Sequence, residues 1–426
     1  MRKQLLLTLF TVMALTVTAQ KYVGGDISML TKYEDAGVVY KDKNGTTVQP
    51  LPFFKEQGMN AMRVRLFVDP SQATTYEKRN GVCQDLDYVK VLGKRIKDAG
   101  MKFMLDFHYS DTWADPAKQW TPKSWLTLSD EELYTKIYNY TKECLQALVA
   151  AGAEPDFIQT GNEISYGMLY GEGIIKTNTA TETTYQESSS TYKKCYTSST
   201  DNWERFTTLL KKAGQACREI CPNAKIILHT ERTAQPTTLT AFYDKMLAAV
   251  VDYDIIGLSY YPAYHNDLAT LESALVALEN KNYGKDIMIV ETGYCYAWAL
   301  PKTTYDYTAT FPYSEEGQRQ FTADLITKLN SHESVKGLFW WWPEDNGNKN
   351  VTDGWWNAGL FNHNTGKPYA ALYELKNFLD GSSGISSLKY TAPEDNTWYD
   401  LSGKRMSNKP TSKGIYINNG RKIIVK

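Results

Sequence analysis

The sequence predicts an α/β fold, a (β/α)8 TIM barrel with long βα loops and a short C-terminal β-like appendage. Three observations predict it. Between residues 22 and 380 short strand-like runs alternate with helical stretches, the pattern of a parallel sheet with crossover helices. Eight such runs fall within a segment longer than the roughly 250 residues typical of such a barrel, which leaves chain for enlarged loops. Most of the runs also end in polar or charged residues, at the end where a barrel of this kind carries its working site.

In order, the strands are expected at Tyr22–Ile27, Ala61–Val68, Lys102–Phe107, Asp156–Thr160, Lys225–His229, Ile255–Tyr260, Asp286–Glu291 and Val335–Trp340. An Asn44-Gly45 pair after the first strand marks a small hairpin. Helices are expected at Leu86–Ala99, which stops at Gly100, and at Asp130–Ala151, which follows Ser129 as N-cap and stops at Gly152. Further helices follow at Trp203–Ile220, Thr238–Val250, Leu268–Glu279, Glu315–Leu329 and Tyr369–Leu379. The longest insertion, Ile164 to Asp201, is rich in Thr, Ser, Tyr and Gly, and loops of that length usually cover a site or stay disordered. Residues 381–384 read as a linker. Beyond them lie short β-like runs at Lys389–Thr391, Tyr416–Asn418 and Lys422–Val425, in a tail too small for a core of its own.

Composition narrows the function classes. With 47 Lys and Arg against 48 Asp and Glu the chain has no net field to draw it onto nucleic acid or an anionic membrane. Basic Arg2 and Lys3, an apolar run from Leu5 to Val17 and small residues ending at Ala19 read as a signal peptide over residues 1–19. Residues 20–380 then form the barrel and 381–426 the linker and appendage. No later run reaches the roughly 18 apolar residues needed to span a membrane. The expectation is therefore an exported monomer, secreted, periplasmic or held at the cell surface. The six cysteines are scattered, without the pattern of a disulfide scaffold or zinc site, and read mostly as small buried apolar groups.

The strand ends supply the candidate chemistry: Asp26, then Arg63 and Arg65, Asp106 and His108, Asn162 and Glu163, His229 and Glu231, Tyr260 and Tyr261, Glu291, and Trp340 to Trp342. An acidic residue ending a strand is often only a helix cap. Glu163 and Glu291, however, both stand where a mostly apolar strand breaks off, on the fourth and seventh strands, and so face each other across the barrel mouth. Two opposed carboxylates are the machinery of glycoside hydrolysis. By alternation Arg63 and Arg65 share one face, and Glu291 shares a face with Ile287 and Ile289. The arginines are expected to hold Glu291 ionised, with its pKa depressed, and Glu163 to be raised toward neutrality. Trp113 and one of Trp340 and Trp342, which share a face, are the expected platforms for a sugar ring.

Rival chemistries leave fewer traces. Neither H-x-H nor H-E-x-x-H occurs, nor a G-x-S-x-G elbow, a phosphate loop or G-x-G-x-x-G. For His108 and His229 a hydrogen bond to substrate or protein is favoured over metal ligation with Asp106. No metal site is expected.

The runs Gly24-Gly25-Asp26-Ile27-Ser28, Arg63-Val64-Arg65-Leu66, Asp106-Phe107-His108-Tyr109-Ser110-Asp111-Thr112-Trp113-Ala114-Asp115-Pro116, Gly161-Asn162-Glu163 and Glu291-Thr292-Gly293-Tyr294 resemble glycoside hydrolase family 53, the arabinogalactan endo-β-1,4-galactanases. The resemblance covers residues 22 to 380. It implies a retaining enzyme acting on β-1,4-galactan by double displacement, with Glu163 as acid/base and Glu291 as nucleophile. Asn162 would lie near the sugar's 2-hydroxyl, and Arg65, His108 and a tryptophan of the eighth strand would hold the galactose being cleaved. Asp26, Trp113, His229, Tyr260, Trp340 and Trp342 complete the expected substrate-binding set. No cofactor is required. Some bacterial members hold a structural calcium in the loop after the seventh strand, but here residues 297–314 offer Asp306 alone as an acidic ligand, against the several oxygens calcium takes. His229-Thr230-Glu231 departs from the family's usual Asp or Asn after the fifth strand. A non-catalytic polysaccharide-binding barrel, or a retaining enzyme acting on mannan or xylan, would share many of these features and stays open.

Overall fold

The computed structural model describes residues 20–169, 174–178, 182–186, 193–195, 202–352, 355, 357–380, 398–399, 405–406, 409–418 and 421–425. Eight parallel strands close a barrel: β1 (Tyr22–Asp26), β2 (Ala61–Leu66), β3 (Lys102–Phe107), β4 (Phe157–Thr160), β5 (Lys225–Thr230), β6 (Ile255–Tyr260), β7 (Asp286–Thr292) and β8 (Val335–Trp341). Each strand pairs with the next along the chain, and β8 closes onto β1 with Tyr22 opposite Gly337 and Asp26 opposite Trp341. Closure brings β1 close to β2, since a Cβ on Gly24 would lie 1.6 Å from the Ala61 carbonyl oxygen. Only glycine fits there.

Long helices lie between the strands at Leu86–Asp98, Asp130–Ala150, Trp203–Ile220, Pro236–Ala248, Leu268–Lys281 and Glu315–Asn330. Their starts follow local chemistry. Asp85 accepts from the Tyr88 amide, and Ser129 and Glu132 form a reciprocal capping box, a motif worth about 1 kcal/mol. Two short helices between β1 and β2, Leu30–Asp35 and Pro50–Glu56, have no counterpart in the sequence reading, being barely two turns long. The expected last helix divides into Ala370–Glu374 and a 3-10 turn at Leu375–Phe378. The Asn44-Gly45 turn closes a single bridge between Lys41 and Thr47, with Gly45 at φ +94°.

The barrel interior is plugged by Ala61, Met104, Phe157, Ile227, Ile255, Met288, Val290 and Phe339, while a larger core fills the space between strands and helices. Of the long insertion, Ile174–Asn178 and Glu182–Gln186 pair antiparallel. Five of the six cysteines are buried, and Cys83 is half-buried. No helix among the described residues is long and apolar enough to cross a membrane.

The chain divides into two compact units, up to Gly381 and from Ser382 onward. Within the second, Trp398–Tyr399, Arg405–Met406, Gly414–Asn418 and Arg421–Val425 form a four-stranded antiparallel sheet. The expected runs at Tyr416–Asn418 and Lys422–Val425 fall in it. Residues 1–19, the 381–384 linker and Lys389–Thr391 lie outside the described residues.

Candidate active site

The alternation that builds the plug also builds a polar layer above it. On β2 Ala61 is followed on the same face by Arg63 and Arg65; on β3 Met104 by Asp106 and His108; on β4 Phe157 by Gln159; on β5 Ile227 by His229; and on β6 Ile255 by Ser259. Arg63, wholly buried, is the hub. Its Nη1 lies 2.8 Å from Asp26, and its Nη2 lies 2.8 Å from Asp106, 2.9 Å from Glu291 and 2.8 Å from the Asn162 side-chain oxygen. Arg65 shares Asp26 at 2.7 Å. A planar guanidinium suits this task because its fixed fork can serve several carboxylates at once.

Glu291 reaches the site through a break in alternation. Ile287 and Ile289 belong to the outer core and Met288 and Val290 to the interior, so strict alternation would turn Glu291 toward the helices. Instead Ile289 pairs with Leu258 and the next pair is Glu291 with Ser259, which leaves Val290 as the extra residue of a bulge. The pairing with β8 slips at the same place. The expectation that Glu291 shares a face with Ile287 and Ile289 is thus corrected; the bulge re-aims it. Its Oε2 accepts from the Tyr261 hydroxyl at 3.0 Å.

Glu163 is presented by a tight turn, with Gly161 at φ +108° and Glu163 itself at φ +47°, a region that costs a residue with a Cβ about 1 kcal/mol or more. The turn is tied to β5, since the Ile164 amide donates to the His229 carbonyl at 2.9 Å and the Glu163 amide to His229 Nδ1 at 3.3 Å. That donor leaves the His229 proton on Nε2, which lies 2.8 Å from the Ser259 hydroxyl. Ser259 in turn donates to Glu163 Oε1 at 2.6 Å. Burial, helped by Arg63, holds His229 well below its ordinary pKa and therefore neutral. Asn162 is fixed by Arg63, by its own donation to the Ala114 carbonyl at 2.7 Å, and by Gln119 on its backbone oxygen.

Three indoles enclose Arg65: Trp113 at 4.7 Å, Trp341 at 4.9 Å and Trp342 at 5.3 Å from ring centroid to guanidinium. Trp341 and Trp342 stack at 5.2 Å because Trp342, at φ +53°, turns the chain back over its neighbour. Two expected residues are not in this group. Trp340 points outward, fully buried, with its indole N–H on the Ala358 carbonyl; Phe339 faces the interior, so Trp341 does too. Tyr260 likewise points outward, its hydroxyl on the Asn266 carbonyl and its ring against Phe321, while Tyr261 carries the hydroxyl that meets Glu291. Asp26, His108 and His229 lie beneath the mouth and hold other side chains. His108 has Nε2 3.0 Å from Asp106 and accepts from the Ala114 amide on Nδ1.

Gln159 and Ser259 are absent from the sequence reading; Tyr261 and Trp341 stand in it among the strand-end residues but outside the expected substrate-binding set. Counting by twos from the arginine face would have found Gln159, Ser259 and Trp341; nothing local distinguishes Tyr261 from Tyr260.

The two carboxylates differ in their surroundings. Burial, then the charges of Glu291 and Glu231, raises Glu163 well above the ordinary glutamate range. Burial also pushes Glu291 up, to about 7, with Arg63 opposing. The expected depression of Glu291 is therefore corrected: desolvation outweighs the arginine. The order survives, with the carboxylate on Arg63 ionising before the one on Ser259, as a pair divided between acid and base requires. No group of three or more His, Cys, Asp or Glu able to hold a metal occurs among the described residues. Asp306 accepts from the amide and hydroxyl of Thr308.

Comparison with known proteins decides the family, because the model of glycosyl hydrolase family 53 matches residues 22–375. The chain belongs to that family. This glycosidase is 32% identical over 383 residues to a probable arabinogalactan endo-β-1,4-galactanase A of Aspergillus terreus, covering 87% of this chain and 99% of the relative. Among solved structures, a family 53 catalytic domain from Ignisphaera aggregans superposes with a TM-score of 0.70 at 28% identity, covering 84% of this chain and 95% of that one. A fungal β-1,4-galactanase does so with a TM-score of 0.68 at 29% identity, covering 84% and 99%.

Proposed function

We propose that this glycosidase hydrolyses the β-1,4-galactosidic bonds of galactan and type I arabinogalactan with retention, by double displacement. The observation that carries the reading is the unequal setting of the two glutamates, one on Arg63 and Tyr261, the other, among the described residues, on the Ser259 hydroxyl. Ionised Glu291 attacks the anomeric carbon while Glu163 gives its proton to the departing glycosidic oxygen, leaving a glycosyl ester on Glu291. Glu163, now a carboxylate, takes a proton from water as that water attacks the same carbon, and Glu291 leaves as the carboxylate. Arg65 within its three indoles offers a charged donor and ring faces to the sugar, and Asn162 an amide.

The galactan assignment rests on the names of relatives that match nearly full length and on the family. The order of basic, apolar and small residues in 1–19 supports export. The mechanism uses carboxylates alone, with no cofactor. Profiling purified protein on a panel of polysaccharides tests the substrate: galactan should be cleaved fastest, and faster turnover of xylan, mannan or cellulose would overturn the assignment.

A further inference from the structure

Glu231 is a third carboxylate at the barrel mouth, placed immediately after β5 and only 7% exposed. Its partners lie on the turn that presents Glu163. The Ser165 hydroxyl, two residues beyond Glu163, meets both Glu231 carboxylate oxygens. Arg232 Nε lies 3.1 Å from Glu231 Oε1 and donates to the Ser165 oxygen at 3.2 Å, so carboxylate, hydroxyl and guanidinium close a ring of contacts. That guanidinium is itself held over the ring of Tyr166, the residue after Ser165, 4.1 Å from its centroid.

The turn needs such a clamp. Glu163 sits at φ +47°, a backbone conformation that persists only where the surroundings fix it. Three successive residues of the turn reach the end of β5: the amides of Glu163 and Ile164 bond to His229, and the Ser165 hydroxyl bonds to Glu231. From the loop after β3, Gln119 donates to the carbonyls of Asn162 at 2.7 Å and Glu163 at 3.3 Å. Thr233, two residues after Glu231, donates to the Ser259 carbonyl at 3.0 Å, and it is the Ser259 hydroxyl that meets the Glu163 carboxylate. The run from Glu231 to Thr233 therefore braces both the backbone of Glu163 and the partner of its side chain.

Charge adds a second link. Glu163 is faced by Glu291 on β7, by Glu231 after β5 and by Asp115 in the loop after β3, with neutral His229, Ser259, Tyr261 and Tyr264 around it. Glu231 in turn faces Arg232 and Asp115. Burial raises its pKa, while Arg232 and Ser165 act against burial and favour the ionised form. A negative charge at that place favours the protonated Glu163 that a departing sugar needs. We propose that Glu231 is a positioning residue for the acid/base, fixing the turn that presents Glu163 through Ser165 and Arg232 and setting a charge beside its carboxyl. The assignment rests on the galactanase reading and names what aims its proton donor.

The test compares the full chain with Glu231→Gln, which keeps an acceptor for Ser165 and drops the charge, and with Ser165→Ala, which keeps the charge and opens the clamp. For Glu231→Gln the alkaline limb of kcat/KM should move down by roughly half to one pH unit, because Glu163 gives up its proton more easily. For Ser165→Ala kcat/KM on galactan should fall about tenfold, while a dinitrophenyl galactobioside, whose leaving group departs with little protonation, stays within about threefold of the parent. An alkaline limb that does not move in Glu231→Gln, or equal losses on the two substrates in Ser165→Ala, would each overturn the role. Circular dichroism checks folding, and if Glu231→Gln does not fold, Ser165→Ala decides alone. Failure of the galactanase reading looks different: the parent itself would leave both galactan and the galactobioside uncut.

Discussion

The lower ring of the barrel interior, which includes Ala61, Met104, Phe157, Ile227, Met288 and Phe339, is apolar, and the pairing of β8 with β7 slips once beside it, between Val335 and Gly337. The ring above it, Asp26, Arg63, Arg65, Asp106, Gln159, His229 and Glu291, is polar and joined by ion pairs and hydrogen bonds. At its rim the backbone breaks local rules: a bulge at Val290, and left-handed φ at Glu163 and Trp342. The lower ring gains its free energy from burial. The upper ring spends some of that stability to hold charges in fixed positions, and the barrel's closure makes this possible by fixing every strand on both sides.

If that division is right, substitutions in the two rings should separate activity from stability. The largest effect on activity is expected from Arg63→Lys, which keeps a charge but cannot reach Asp26, Asp106 and Glu291 together. Loss of the fork should lower kcat/KM by roughly 10² to 10³, the scale of losing one preorganised donor. Steady-state kinetics on protein shown to be folded by circular dichroism would check it, and near-parental activity would break the comparison.

Met288→Ala, one ring below, should do the reverse. A methionine-to-alanine cavity costs about 2–5 kcal/mol, so the denaturation midpoint should fall while kcat of the folded protein stays near parental.

A smaller effect sharpens the electrostatic side. Glu291 must be ionised to attack, so activity should fall as pH drops through its pKa of about 7, and fall again on the alkaline side as Glu163 gives up its proton. Tyr261→Phe removes a hydrogen bond that favours the ionised form. The acid limb of kcat/KM should then move up by roughly one pH unit, the equivalent of about 1.4 kcal/mol, while the alkaline limb stays. A shift to lower pH would contradict the assignment of Tyr261.

Legibility in the sequence follows the same division. Where alternation and capping govern, reading the chain suffices: Lys102–Phe107, Ile255–Tyr260 and Trp203–Ile220 have the expected bounds, and Ser129 caps the helix it precedes. Where the backbone departs from regular geometry, reading fails. Parity gives Glu291 a face that the bulge cancels, and it puts Trp340 and Trp342 on one face without saying that Phe339, and so Trp341, faces the interior. Tyr260 and Tyr261 are indistinguishable without knowing where β6 ends. The pKa of Glu291 is not legible for another reason: a sequence shows the arginine nearby but not the depth of burial that opposes it.

The central claim is that Glu291, re-aimed by the bulge and held on Arg63, forms a glycosyl intermediate with the sugar. Proton NMR of galactan or a galacto-oligosaccharide during its first minutes of hydrolysis tests it most directly, because the anomeric signal of the new reducing end appears before mutarotation scrambles it. The β-anomer should form first, as two successive inversions require; the α-anomer forming first would contradict the account.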